Sequence, residues 1–151
     1  MRVILDKNEY KFIWNKVYSK YRFDGSQDEW LSLPFVNKKY TLSKIWTEEQ
    51  EKMINGIFSK LCFKELYALD WQHDCFVFSP DEDIPLNYCF FDKYRSCNVY
   101  FPSYYPDGDY YFFITTDWDS GLFGHPWRKE IFVMGDKLIE EFNKIKDILL
   151  I

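Results

Sequence analysis

The chain has 151 residues, with 24 Asp and Glu against 19 Lys and Arg and a formal net charge of −5. That length fits one domain, because a second would be too small to bury its own core. The acidic balance sets the chain against phosphate backbones, so no nucleic acid is expected as a partner. No apolar run is long enough to span a bilayer, so no membrane partner is expected either.

The first residues, Met1-Arg2-Val3-Ile4-Leu5-Asp6, reach charge too early for a signal peptide. Asp6 is placed to cap a first helix in which Tyr10, Ile13, Trp14, Val17, Tyr18 and Tyr21 share one face. Residues 22–46 are expected to be loop, punctuated by Gly25-Ser26 and Pro34, with one strand near Tyr40-Thr41-Leu42. Thr47-Glu48-Glu49-Gln50 is a capping-box pattern. It opens a second helix with an apolar stripe of Met53, Ile54, Ile57, Phe58 and Leu61.

Strand character then takes over. Residues 66–71 and 75–78 are predicted strands, broken near Gln72-His73-Asp74. Residues 80–85 form an acidic loop bounded by prolines, and 98–101 is a further strand. Pro106-Asp107-Gly108 signals a turn before 110–116, the strongest strand of the chain. The apolar residues of that strand do not alternate, so both of its faces are expected to be covered. Residues 117–121 make a second turn, 130–134 the last strand, and Gly135-Asp136 starts a final helix with Leu138, Phe142, Ile145 and Leu149 on one face. Short turns between consecutive strands imply a mainly antiparallel sheet. The expected fold is therefore a single α+β domain over residues 1–151 with helices flanking the sheet.

Aromatics make up 22% of the residues, and twelve of them are tyrosines, more than a core can supply with hydroxyl partners. Some tyrosines are therefore expected at the surface, where they suit binding. Cys62, Cys75, Cys89 and Cys97 form no C-x-x-C pair, and without a secretion signal they are expected to be reduced and mostly buried. These features point to the cytoplasm. Charge is uneven: residues 1–65 hold 12 Lys and Arg against 9 Asp and Glu, a net +3, and residues 66–151 hold 7 against 15, a net −8. Ten acids fall within 70–119, opposed there by Lys93 and Arg95.

The rarest residues are concentrated. Both histidines and Trp71, Trp118 and Trp127 lie in 69–73 or 106–127. The cluster has the residue types of three kinds of site. Asp70, His73, Asp107, Asp109 and His125 are metal-ligand types, but no H-x-x-x-H or H-E-x-x-H spacing is present, and Asp107-x-Asp109 lacks the glutamate that closes a calcium loop. No metal is expected on that basis. Asp70 with His73, or Asp109 with His125, has the composition of an acid–base dyad. No nucleophile motif, P-loop or G-x-G-x-x-G accompanies it, so no catalytic residue and no cofactor is assigned. The third role is structural, with both histidines as satisfied core residues that tie the two stretches together.

Leu69-Asp70-Trp71-Gln72-His73, Tyr105-Pro106-Asp107-Gly108-Asp109-Tyr110-Tyr111 and Gly124-His125-Pro126-Trp127 resemble a family of small bacterial proteins known as a domain of unknown function, over about residues 66–140. That family brings no catalytic residues to carry over. Small acidic proteins of this style also resemble the immunity partners of secreted bacterial toxins. The leading expectation is a non-enzymatic binding protein for a basic partner, such as an immunity protein (antitoxin) against a basic toxin. Its candidate binding residues are Asp70, Trp71, His73, Asp81, Glu82, Asp83, Asp107, Asp109, His125 and Trp127. The alternative is a small enzyme or ligand-binding domain using the Asp/His cluster.

Overall fold

The structure, a computed structural model, describes residues 1–25, 33, 36–61 and 63–151. Ser26, Pro34 and Cys62 lie outside the described residues. In chain order the elements are β1 (Arg2–Val3), α1 (Lys7–Tyr21), β2 (Asn37–Thr41), α2 (Glu48–Lys60), β3 (Leu66–Asp70), β4 (Cys75–Phe78), β5 (Cys89–Asp92), β6 (Cys97–Tyr100), β7 (Tyr111–Thr115), β8 (Gly121–His125), β9 (Glu130–Met134) and α3 (Asp136–Leu149). Seven strands form one sheet in the order β1-β4-β3-β7-β8-β9-β2, and β5 pairs with β6 separately. All the pairings are antiparallel.

Side-chain alternation gives this sheet two buried faces. Leu66, Ala68, Phe76, Phe78, Tyr111, Phe113, Leu122, Ile131 and Val133 point to one face and pack with Ile54, Phe58, Leu138 and Phe142 of α2 and α3. Leu69, Cys75, Val77, Phe112, Ile114, Phe123, Phe132 and Met134 point to the other and pack with Ile13, Trp14, Val17 and Tyr21 of α1. This is why β7 reads as an unbroken apolar run: all five of its residues are buried. The α+β class with flanking helices follows from this layering.

The helix caps form as their side chains dictate. Asp6 accepts from the Glu9 N–H at 2.8 Å. Thr47 and Gln50 close the capping box, with the Thr47 N–H on Gln50 Oε1 at 2.8 Å.

Three strands depart from the expected pattern. β1 is a two-residue edge strand whose register follows from pairing Arg2 with Val77 and Val3 with Phe76. β5 completes a ribbon with the expected β6. β8 is a central strand largely in a stretch, 122–129, to which the sequence assigns no element. Glycine disfavours strands in isolation, yet here its missing side chain is required: a Cβ at Gly124 would lie 2.7 Å from Pro106 Cβ, and one at Gly121 2.6 Å from the Phe113 carbonyl oxygen. The thiols also differ from expectation. Among the described residues Cys75 is buried, but Cys89 and Cys97 are exposed free thiols on the ribbon. No helix among the described residues is long and apolar enough to cross a membrane.

Candidate functional site

The registers converge the motif stretches at one end of the sheet. Asp70, the last residue of β3, pairs with Tyr111, the first of β7, and Tyr111 pairs with Gly124 near the end of β8. The segment 106–110 therefore enters the sheet beside the β3–β4 turn. In that turn the His73 N–H donates to the Asp70 carbonyl at 3.1 Å, and Gln72 takes a left-handed φ of 66°. The reversal folds the His73 ring back over Asp70, with Nδ1 at 3.0 Å from Asp70 Oδ1. Asp109 Oδ2 stands 3.6 Å from the same nitrogen. The turn is tied down from behind, where the Tyr10 hydroxyl donates to the His73 carbonyl at 3.3 Å.

This environment moves proton affinities. Burial is the main cause that raises Asp70 to about 6, reinforced by the charges of Asp109 and Asp107 and opposed by His73. His73 is raised as well, first by its hydrogen bond to Asp70. The Tyr111 hydroxyl donates to Asp107 at 3.0 Å. A shallow concavity beside the cluster is walled by Asp70, Gln72, His73, Asn98, Tyr100 and Tyr111. Asp74 and Asp92 stand nearby on Arg95, at 2.6 and 2.7 Å, so that arginine is already engaged.

His125 has a different setting. It is fully buried at the end of β8, with Nδ1 accepting from the Arg128 N–H at 3.3 Å. Tyr110 packs edge-on to it at 4.9 Å, and Trp127 lies 6.1 Å away. Burial lowers its proton affinity to about 4, and the Arg128 charge adds to that. Tyr110 also meets Trp71 at 5.6 Å and Trp127 at 4.9 Å, so one ring links all three motifs. Trp71 packs so closely on Gly25 that a Cβ there would lie 2.6 Å from its ring. The expectation of two core histidines holds for His125 and fails for His73, whose side chain is 61% exposed because the turn projects it between carboxylates.

The ten candidate binding residues thus divide. Asp70, His73, Asp107 and Asp109 form a charged cluster. Trp71, His125 and Trp127 belong to the ring cluster beside it, where Trp127 keeps an exposed edge. Asp81, Glu82 and Asp83 are elsewhere. Phe78, which leads into their loop, pairs with Leu66 at the opposite end of β3. Asp81 then accepts from Ser59, and Glu82 binds the Met1 amino group.

Sequence reading passed over Glu51. This buried carboxylate on α2 accepts the Tyr104 and Tyr105 N–H groups at 2.7 and 2.9 Å and so fixes the segment that carries Asp107 and Asp109. Its place three residues before Ile54, on the apolar stripe, was the signal. Burial raises its carboxyl to about 7.

Residues 4–139 match the family described as "Protein of unknown function (DUF2716)". The chain belongs to this family. A family of unknown function was the expected class, and the match extends the expected span, about 66–140, back to residue 4. A similar protein, described as "Uncharacterized protein YxiI" of Bacillus subtilis (strain 168), is 40% identical over 84 residues, covering 56% of this chain and 47% of that protein. The match thus spans about half the length of the relative. No solved structure gives a significant match.

Proposed function

We propose that the protein is a non-enzymatic, cytoplasmic binding protein that receives a basic partner at the sheet end formed by residues 70–74, 106–111 and 125–128. The observation that carries this reading is the grouping of Asp70, Asp107 and Asp109 beside Tyr100, with Trp127 packed on the Tyr110 ring that follows Asp109; Tyr100 and Trp127 are 60% and 56% exposed. Carboxylates steer a cationic surface and set its orientation, and large rings supply contact area at low entropic cost. Arginine and lysine side chains suit both features, because they pair with carboxylates and pack on ring faces. The finer form of the proposal is an immunity protein that neutralises a basic bacterial toxin.

The test is co-purification of partners with the wild type and with an Asp107→Lys/Asp109→Lys variant, followed by co-expression. A basic protein captured stoichiometrically, released by salt and lost with the variant supports the reading. Capture that survives both charge reversals overturns it. If the partner is toxic, the wild type should protect cells and the variant should not at equal abundance.

The second reading is a small enzyme or ligand-binding domain. The 3.0 Å contact between Asp70 and His73 beside an open concavity favours it. Turnover of a small molecule lost with His73→Ala would replace the first reading.

A further inference from the structure

The same corner of the sheet has a property that macromolecular binding does not require. Asp70, His73 and Asp109 each present one donor atom, and the three donors lie within 4.8 Å of one another. The imidazole nitrogen is 3.0 Å from one carboxylate oxygen and 3.6 Å from the other. Ligands about 2.0–2.2 Å from a zinc-type ion stand roughly 3.0–3.6 Å apart, so both nitrogen–oxygen separations suit a shared ion, and a small closing movement of donors already within 4.8 Å of one another brings the two carboxylates onto it. The donors come from a strand end, a turn and a loop. Each support is fixed: Asp70 in the β3–β7 ladder, His73 by the Tyr10 hydroxyl, and Asp109 by accepting the Tyr110 N–H at 2.8 Å. The imidazole thus faces two acids, and Asp107 adds a third carboxylate near Asp70.

We propose that Asp70, His73 and Asp109 bind one divalent transition-metal ion of the zinc type. One nitrogen and two carboxylate donors favour such an ion over calcium, which takes six to eight oxygens, and over copper(I), which selects sulfur. The three protein ligands lie on one side, and the concavity walled by Tyr100 and Tyr111 leaves the remaining positions to water or a ligand. His73 binds through Nδ1, which is the nitrogen that faces both carboxylates. The helical spacing that signals many zinc sites is absent because the ligands converge through sheet register, which a sequence pattern does not display.

The experiment is calorimetric titration of zinc into tag-free protein stripped of metal with a chelator, repeated with cobalt(II) as a visible-absorption probe. The expected result is one ion per chain, with binding weakened at least about tenfold by His73→Ala and by Asp109→Asn. Asp119→Asn, at the other end of the sheet, should leave it unchanged. His73 is exposed, so its replacement keeps the fold, and circular dichroism of each variant verifies this. Absence of saturable binding, or one-site binding that survives both substitutions, overturns the proposal. No macromolecular partner enters the assay, so its outcome is separate from that of the proposed binding function.

Discussion

A turn and a strand end at the same end of the sheet each carry one of the protein's two histidines, and they place it in opposite environments. The β3–β4 turn pushes His73 into solvent between Asp70 and Asp109, where negative charge favours its protonated form. The end of β8 seals His125 among Tyr110, Trp127 and the sheet, where burial favours the neutral ring. One histidine completes a charged surface, and the other completes a packed core. Neighbouring positions in a fold, each occupied by the same scarce residue type, therefore answer to different physical demands.

The contrast fixes the signs of pH dependence. His125 falls from an ordinary 6.5 to about 4 in the fold. Its contribution is complete above 6.5 and is lost as pH falls through 4. Asp70 moves the other way, from 3.8 to about 6. Its contribution is complete below 3.8 and is lost as pH rises through 6. His73, also raised, follows the Asp70 sign: its contribution is present below 6.5 and is lost as pH rises through its folded value.

The largest expected effect lies on the packed side. Phe123 is stacked on Tyr110 at 6.0 Å and lies 4.2 Å from Phe112, so Phe123→Ala should cost about 3–5 kcal/mol in urea unfolding at pH 7. His73→Ala, on the exposed side, should stay within about 0.5 kcal/mol. Equal effects would erase the contrast. Next, the fall of His125 from 6.5 to about 4 corresponds to about 3 kcal/mol lost on acidification from pH 7 to 4. His125→Gln, which cannot titrate, should flatten the stability–pH slope in that window whatever its own baseline. Gly124→Ala should cost about 1–3 kcal/mol, because its methyl group meets Pro106 across the two motif segments. The smaller of the two pH-linked effects is at Asp70. Between pH 4 and 7 the wild type should lose about 1–2 kcal/mol more than Asp70→Asn, a figure reduced for screening at the exposed His73. A steeper loss in the variant would reverse the assigned sign.

Periodicity and caps made the helices legible: Asp6, Thr47 and the apolar stripes mark α1 and α2, and Gly135-Asp136 marks the start of α3. The antiparallel sheet was legible from short turns, and the covered faces of β7 from its unbroken apolar run. β8 was hidden because Gly121 and Gly124 argue against a strand until their close neighbours are known. The motif residues were visible as rare types, but their grouping was not. Asp70 meets Asp109 because Asp70 pairs with Tyr111, a relation of register across 41 positions. The acidic loop 81–83 looked continuous with them in charge, and the length of β3 separates where that loop begins from the cluster.

The contrast between the β3–β4 turn and the end of β8 requires His73 to be the charged surface histidine and His125 the neutral core one. With two histidines in the chain, an NMR titration of the imidazole signals resolves both. The predicted result is one ring titrating above 6.5, moved by Asp109→Asn, and a second that stays neutral down to about pH 4. Two rings titrating together near 6.5, with neither responding to Asp109→Asn, would contradict it.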